Sequence, residues 1–179
     1  MKWIAFFSQT GSEIVHLTYV LDRKPDLIVT NNFDAETHHP DIRMGVTIMS
    51  SSHDNLMNYF RKQTIYETSS CLITLHGYLR IIPDDICSKY EIYNGHPAAI
   101  ELYPELKGKD PQKRMWQNIR EYHTIGSVVH RCIPEVDGGE IVERHYVSNT
   151  VTDEDQLYST LRSCSLQSWE LFLKGKLCV

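Results

Sequence analysis

The sequence predicts an α/β protein with three layers, helix, sheet and helix, built around a central, mostly parallel, twisted β-sheet. Short apolar runs alternate along the chain with segments whose apolar residues recur at helical spacing, and such alternation is typical of strand–helix–strand units. Residues 71–75 (CLITL) are apolar at nearly every position, as expected of a strand that helices cover on both faces. With 179 residues the chain is long enough for one hydrophobic core and short for two, so we expect a single domain spanning residues 1–179.

The first half of the chain alternates strands and helices. A helix is expected after the turn at residues 9–12, and Pro25 ends it. Ser51 and Asp54 have the spacing of a capping box and predict the start of a second helix. The apolar stripe of that helix consists of Leu56, Met57, Tyr59 and Phe60. Strands are predicted at residues 2–8, 26–31, 44–49 and 71–75, with a polar loop at 32–40 that holds His38 and His39.

The second half begins with a short helix that starts near Pro83 and a strand that starts at Glu91. A helix over residues 111–122 is expected to turn Met115, Trp116 and Ile119 inward. Residues 127–133 and 141–147 predict two strands joined by a Gly-Gly turn. A capping-box pattern at residues 152–155 predicts a last amphipathic helix ending at Gly175. Its apolar positions are Leu157, Leu161, Cys164, Leu166, Trp169, Phe172 and Leu173.

Composition excludes several classes of function. A net charge of −5 argues against a protein that binds nucleic acid as a polymer. The odd number of cysteines and the absence of any CxxC spacing disfavour a disulfide framework and a zinc site, and we expect no metal. Neither an apolar run of about 18 to 20 residues nor a signal-peptide pattern is present, so we place the chain in the cytoplasm, away from membranes. The cysteines expected to be buried thiols are Cys71, Cys87, Cys132, Cys164 and Cys178.

The stretch Asn94-Gly95-His96-Pro97 combines a hydrogen-bond donor with an acid/base group. Side chains two residues apart on a strand share a face, so the amide of Asn94 and the imidazole of His96 are expected side by side. Pro97 ends the strand ladder, which places the pair at the carboxyl end of a strand, where open α/β sheets bind ligands. His96 alone is weak evidence, because most of the nine histidines will be structural or solvated.

A carboxylate that can complete this pair lies at Asp137, next to Gly138 and Gly139. Two glycines allow the backbone to approach a ligand closely. Turn statistics alone favour an ordinary hairpin turn at this position. The residues by themselves therefore leave both interpretations open.

The order Asn-x-His-Pro at 94–97, then His130, then Asp-Gly-Gly seven residues later resembles the folate-dependent formyltransferases. That family includes glycinamide ribonucleotide transformylase, methionyl-tRNA formyltransferase and the sugar N-formyltransferases. Residues 76–82 are similar to its Gly-aromatic-Met-Arg-Ile-Leu segment, and residues 8–12 are similar to its Gly-x-Gly-Ser turn. The resemblance covers nearly the whole chain and implies a Rossmann-like formyltransferase fold.

The resemblance also implies a reaction, in which an acceptor amine attacks the formyl carbon of 10-formyltetrahydrofolate. Asn94 would donate a hydrogen bond to the developing oxyanion, His96 would handle the proton lost by the amine, and Asp137 would orient that imidazole. His130 is expected to lie behind these three side chains and to shape the site without contacting the substrate. The pterin pocket is expected from Leu79, Arg80, Ile81, Ile82, Cys132 and Asp137.

On the acceptor side the resemblance assigns Thr10, Gly11 and Ser12 to an acceptor phosphate at a helix start, with a plain tight turn as the alternative. The basic residues Lys107, Lys109, Lys113 and Arg114 can also meet a phosphate, although a solvated helix face explains most such runs. The expected partner is a small-molecule amine, and the chain is expected to be a monomer or a homodimer.

Three functions are consistent with these residues. The first is an N-formyltransferase acting on a small phosphorylated amine of nucleotide, nucleotide-sugar or glycinamide ribonucleotide type. The second is a 10-formyltetrahydrofolate hydrolase, in which water takes the place of the amine. The third is a catalytically inactive, nucleotide-binding relative. A Rossmann dehydrogenase is disfavoured because the first turn lacks GxGxxG.

Overall fold

A computed structural model describes residues 1–64 and 70–177, and these residues form one seven-stranded sheet with five α-helices. The strands are β1 (Lys2–Phe7), β2 (Leu27–Thr30), β3 (Ile48–Ser50), β4 (Cys71–Leu75), β5 (Glu91–His96), β6 (Thr124–Arg131) and β7 (Ile141–Ser148). The helices are α1 (Ser12–Leu21), α2 (His53–Lys62), α3 (Asp84–Lys89), α4 (Pro111–Gln117) and α5 (Glu154–Leu177).

The strand order is β3-β2-β1-β4-β5-β6-β7, with parallel pairing from β3 to β5. Strand β6 is antiparallel to both β5 and β7. The predicted α/β fold with a mostly parallel sheet is therefore confirmed. No helix among the described residues is long and apolar enough to cross a membrane.

Helices cover both faces of the sheet because the side chains of β1 alternate between two cores. Trp3 and Phe7 pack into a cluster that contains Leu17 of α1 and Trp169 of α5. Phe6, on the opposite face, belongs to a second cluster with residues of α2 and α3. A third cluster fills the space between β6, α4 and the start of α5. These clusters hold β1, β4 and β5 in place, and the loops at the carboxyl ends of these strands are anchored to them.

The turn between β1 and α1 depends on Gly11. Its φ of +73° lies in the left-handed region, and a Cβ there would lie 2.7 Å from Cδ1 of Ile42. Only glycine fits both restrictions. The predicted strand, turn and helix are all present at this end of the chain.

Two predicted boundaries in the first half were wrong. The strand predicted at 44–49 starts only at Ile48. Met44 and Gly45 form a turn instead, in which Gly45 has a φ of +76° and Lys24 Nζ donates to the carbonyl of Met44 at 2.7 Å. The second helix begins one residue later than the Ser51 capping box predicts. Ser52 Oγ accepts a hydrogen bond from the backbone N–H of Asn55, whereas the Ser51 N–H bonds to Thr30 at the end of β2.

Three boundaries in the second half also differ. The helix predicted at 111–122 stops at Gln117 and continues as a short 3-10 turn, Ile119–Glu121. The strand predicted at 127–133 begins and ends earlier, at Thr124 and Arg131. The last helix passes through Gly175 to Leu177, the last residue that the structure describes. The carboxylate of Asp153 accepts from the Gln156 N–H at 2.8 Å and caps its start.

Three of the four cysteines in the described residues are buried as expected, and Cys132 is the exception. Cys71, Cys87 and Cys164 are buried, and Cys132 is half-buried. Cys178 lies outside the described residues.

Candidate active site

Asn94 and His96 lie at the carboxyl end of β5, as predicted, and His96 is the last residue of that strand. Gly95, between them, faces the opposite layer, where a Cβ would lie 2.5 Å from Nε1 of Trp169 on α5. Close packing against that indole holds the strand end in place. Asn94 and His96 therefore point together away from α5, and His96 is only 4% exposed.

Asp137 supplies a carboxylate to this pair from the connection between β6 and β7. Its backbone is left-handed, with a φ of +51°. Oδ2 lies 3.2 Å from His96 Nδ1 and accepts the Gly108 N–H at 2.7 Å, while Oδ1 lies 3.3 Å from His130 Nε2. Three groups from three chain segments thus converge on one carboxylate.

The electrostatic environment keeps Asp137 ionised. Burial raises the pKa of this carboxyl, but hydrogen bonds from His130 and His96, the charge of His96 and the Gly108 N–H lower it by more. The net effect holds the pKa of Asp137 well below its usual range. The site therefore contains a fixed negative charge at any pH at which amines react.

The imidazole of His96 lies between two acceptors. Nε2 donates to the carbonyl of Leu106 at 2.9 Å, and Nδ1 faces the carboxylate of Asp137. A ring that carries a proton on each nitrogen satisfies both contacts, whereas a neutral ring would turn one lone pair toward an acceptor. The backbone of His96 is also anchored, because Ser127 Oγ donates to its carbonyl at 2.9 Å.

His130 connects the amide and the carboxylate. Its Nδ1 donates to the Arg131 carbonyl at 3.0 Å, and its Nε2 lies 3.2 Å from Nδ2 of Asn94 as well as near Asp137. Nε2 can donate to Asp137 Oδ1 or accept from Asn94 Nδ2, and one ring nitrogen does only one of these at a time. In either arrangement the Asn94 amide is held beside the carboxylate, with at least one Nδ2 hydrogen left for a ligand.

A cavity of about 930 Å³ opens over the carboxyl ends of β1, β4 and β5. Its volume is within the range of about 300 to 1,000 Å³ typical of small-molecule sites. The structure brings all the site residues predicted from the sequence to its wall. They are Thr10, Gly11, Ser12, Leu79, Arg80, Ile81, Ile82, Asn94, His96, His130, Cys132 and Asp137.

One wall of the cavity is apolar and partly open to solvent. Leu79 is 67% exposed and Ile81 is 71% exposed, beside the buried Ile82. Burial raises the pKa of the Cys132 thiol far above its usual range, so this side chain also behaves as an apolar group. Exposed aliphatic side chains at the mouth of a cavity are typical of a surface that a ligand covers.

Sequence reasoning missed a second carboxylate–imidazole pair in the same cavity, Glu13 and His76. His76 Nδ1 lies 2.7 Å from Glu13 Oε2, and Ser165 Oγ donates to Oε1 at 2.7 Å. Thr74 Oγ1 accepts from Trp3 Nε1 and lies 2.8 Å from His76 Nε2. The hydroxyl hydrogen of Thr74 is therefore available to His76 Nε2, which places the ring proton on Nδ1, facing Glu13.

Glu13 is a carboxylate in this arrangement. Burial raises its pKa, but the hydrogen bonds from His76 and Ser165 and the nearby charge of Arg162 bring the pKa below its ordinary value. Glu13 directly follows the Gly-Ser of the amino-terminal turn, and Arg162 and Ser165 have the i, i+3 spacing of one helix face. Those spacings were the available signal, but nothing in the sequence connects the two segments.

The turn before α1 is already partly hydrogen-bonded. Ser12 N–H is 3.2 Å from Thr10 Oγ1, and Arg162 Nη2 donates to Ser12 Oγ at 3.1 Å. The groups left for a ligand at this end of the cavity are the Ser12 hydroxyl and the Arg162 guanidinium. Not all the basic side chains at residues 107–114 face the cavity, because the guanidinium of Arg114 donates to backbone carbonyls instead.

Comparisons with known proteins support one family. The model of the family described as formyl transferase matches residues 28–167, more than half of the chain. No curated protein sequence matches. The fold is similar to that of phosphoribosylglycinamide formyltransferase from Campylobacter jejuni, with a TM-score of 0.82, 19% identity and coverage of 98% of this chain and 96% of that chain.

Two further solved structures are similar at the same level. For phosphoribosylglycinamide formyltransferase from Streptococcus pneumoniae the TM-score is 0.78 at 20% identity, covering 98% of each chain. For glycinamide ribonucleotide transformylase 1 from Geobacillus kaustophilus the TM-score is 0.78 at 19% identity, covering 99% of each chain. At such identities the likeness shows the fold.

Proposed function

The chain belongs to the formyl transferase family, and we propose that it moves a formyl group from 10-formyltetrahydrofolate to the amine of a small phosphorylated acceptor. The acceptor is of nucleotide, nucleotide-sugar or glycinamide ribonucleotide type. The observation that carries the proposal is the meeting of Asn94, His96 and Asp137 at the wall of one cavity. An amide donor, an imidazole and an ionised carboxylate are the groups that acyl transfer to nitrogen requires.

In the proposed reaction the acceptor nitrogen forms a bond to the formyl carbon, and the carbonyl electron pair moves to oxygen. Nδ2 of Asn94 donates to that oxyanion, and one such donor is typically worth about a hundred- to thousandfold in rate. When the carbonyl reforms, the bond from the formyl carbon to N10 of the folate breaks. N10 gains a proton and the former amine loses one.

His96 carries the proton between the two nitrogens. Nδ1 stays with Asp137, so the ring works through Nε2, which turns from the Leu106 carbonyl to the substrates. Nε2 gives its proton to N10 and regains the proton that the amine releases, so that no proton is left over. Asp137 stabilises the imidazolium through Oδ2, at 3.2 Å from Nδ1. While charged, the ring also adds positive charge beside the oxyanion.

The folate is proposed to lie along the apolar wall. Backbone polar groups of residues 79–82 bind the pterin, and Leu79, Ile81 and Cys132 pack against it. The large exposed fractions of Leu79 and Ile81 support this proposal, because a bound ring would cover them. The Arg80 side chain is exposed beside them and contributes charge at the mouth.

The acceptor is proposed to lie over the amino end of α1. Its phosphate binds the Ser12 hydroxyl, the backbone near Gly11 and the Arg162 guanidinium, where a helix amino terminus adds favourable potential. Thr10 keeps the turn in shape through its bond to the Ser12 N–H. Glu13, held by His76 and Ser165, accepts a hydrogen bond from a hydroxyl or amine hydrogen of the acceptor.

The proposal is tested by incubating the protein with 10-formyltetrahydrofolate and candidate amines, followed by mass spectrometry. A gain of one formyl group on an amine, dependent on protein, is the expected result. Release of formate without any amine would instead identify a hydrolase. Binding of a folate analogue with neither product would identify an inactive relative and refute the proposal.

A further inference from the structure

Arg114 behaves differently from the other basic residues near it. It lies on α4, but its guanidinium folds back over the preceding loop and donates to three consecutive carbonyls. Nη1 donates to Glu105, and Nη2 donates to Leu106 at 3.2 Å and to Lys107 at 2.7 Å. Within residues 1–64 and 70–177 it forms no ion pair with a carboxylate. Its charge is therefore directed at the backbone alone.

Two of these three carbonyls belong to groups that hold the catalytic side chains. The Leu106 carbonyl accepts from His96 Nε2 at 2.9 Å as well as from Arg114. The Lys107 carbonyl is one end of the peptide unit whose other end, the Gly108 N–H, donates to Asp137 at 2.7 Å. One guanidinium thus stands behind both the imidazole and the carboxylate.

We propose that Arg114 is a positioning residue for formyl transfer, which fixes the 105–108 loop so that His96 and Asp137 are held at the same time. This inference rests on the function proposed above and deepens it. The loop needs such support because no strand or α-helix contains it and Gly108 is left-handed, with a φ of +84°. The planar fork of arginine suits several fixed acceptors at once.

The Arg114 guanidinium also polarises the peptide unit between Lys107 and Gly108. A cation on the Lys107 oxygen polarises that amide, and the Gly108 N–H becomes a stronger donor to Asp137. The Leu106 oxygen has two lone pairs, so it can serve Arg114 and His96 together. Loss of the guanidinium would loosen both contacts without removing any group that touches substrate.

The test compares two variants that each remove a cation bound to three carbonyls. Lys89 Nζ donates to the carbonyls of Phe60, Arg61 and Gln63. Lys89 precedes the amino end of β5, whereas the cavity lies at the carboxyl end of that strand. Arg114→Met should lower kcat for formyl transfer about 10- to 100-fold, the usual effect of removing a group that orients a catalytic residue, with little change in KM for the folate. Lys89→Met should reduce thermal stability and leave kcat unchanged.

Chemical rescue separates positioning from general destabilisation. Arg114→Ala should recover activity when guanidinium or methylguanidinium is added at millimolar concentration, and Gln117→Met, at an exposed position on the same helix, should resemble the unaltered protein. Equal losses of kcat in Arg114→Met and Lys89→Met, or no loss in Arg114→Met, would overturn the inference. If Arg114→Met does not fold, the rescue of Arg114→Ala decides. Absence of formyl transfer by the unaltered protein overturns both this inference and the proposed function.

Discussion

Replacing Asp137 with asparagine would isolate the contribution of its charge. The two side chains have the same shape, and asparagine is among the few residues that readily adopt the left-handed backbone seen at this position, with a φ of +51°. The variant should therefore fold with the same loop conformation. What changes is that a carboxylate with two acceptor oxygens becomes an amide with one.

The magnitude follows from the contacts that the carboxylate makes. It faces His96 Nδ1 at 3.2 Å and His130 Nε2 at 3.3 Å and accepts the Gly108 N–H at 2.7 Å. A hydrogen bond to a charged group contributes about 1.5 to 3 kcal/mol. The amide keeps one acceptor oxygen, so one imidazole contact is lost and the other falls to the value of a neutral hydrogen bond, about 1 kcal/mol. The total is about 2 to 3 kcal/mol, and since about 1.4 kcal/mol is a factor of ten, kcat should fall about 30- to 100-fold.

The assay is single-turnover formyl transfer followed by mass spectrometry, with the affinity for a folate analogue measured separately. Affinity should change little, because the carboxylate is only 9% exposed and already occupied by protein donors. Glu140→Gln is the control, since this exposed carboxylate lies in the same connection. A kcat for Asp137→Asn within about threefold of the unaltered protein would refute the role of the charge.

The same variant should change the pH dependence of stability. Because the native pKa of Asp137 lies below its ordinary value of 3.8, the carboxylate stabilises the fold fully above that value and loses this contribution as the pH falls below it. The difference in melting temperature between the unaltered protein and Asp137→Asn should therefore be largest near neutral pH and should shrink in acid. A difference independent of pH would contradict this account.

Four other changes have expected outcomes. Asn94→Ala should lower kcat about a hundred- to thousandfold in single-turnover experiments without weakening folate binding, because it removes one oxyanion donor; unchanged kcat would exclude that role. Glu13→Gln should raise KM for the acceptor more than it lowers kcat, and acceptor titrations measure this. An effect on folate affinity alone would refute the assignment of Glu13 to the acceptor site. Gly95→Ala should destabilise the fold by about 1 to 3 kcal/mol in chemical denaturation, because its Cβ would lie 2.5 Å from the Trp169 indole. Gly175→Ala, where an added Cβ would meet no atom of the described residues within 4 Å outside its own helix turn, should stabilise by about 0.5 to 1 kcal/mol, and equal effects of the two would refute the packing argument.

The sequence predicted the catalytic end of the fold because its information is local there. Apolar runs identify β1, β4 and β5, alternation puts Asn94 and His96 on one face, and Pro97 ends the strand. The strand predicted at 44–49 failed for a different reason. Its apolar residues fit a strand, but Gly45 and the long-range bond from Lys24 to the Met44 carbonyl make a turn instead.

The Glu13–His76 pair shows where local patterns carry no signal. The two residues are 63 positions apart, and Ser165, which completes the arrangement, is 152 positions from Glu13. A glutamate in the first turn of a helix is ordinarily explained by the helix dipole and solvent exposure. The packing of α5 over α1 shields the Glu13 side chain from solvent and orients its carboxylate at the wall of the cavity.

Arg114 extends this reasoning to the basic run 107–114. From sequence, such a run favours either a phosphate or solvent, because both interpretations consider only charges. Backbone carbonyls that lack a helix or strand partner are a third possible partner for these basic side chains, and they are acceptors strong enough to bind a cation when they are partly buried. Arg114 and Lys89 each donate to three backbone carbonyls, Arg114 to those before α4 and Lys89 to those at the end of α2. The two cations differ in what else their carbonyls bind, which at Leu106 is the imidazole of His96 and at Phe60 is the phenol of Tyr90. In the proposed mechanism, a partly buried cation positions catalytic groups when it shares its acceptors with them.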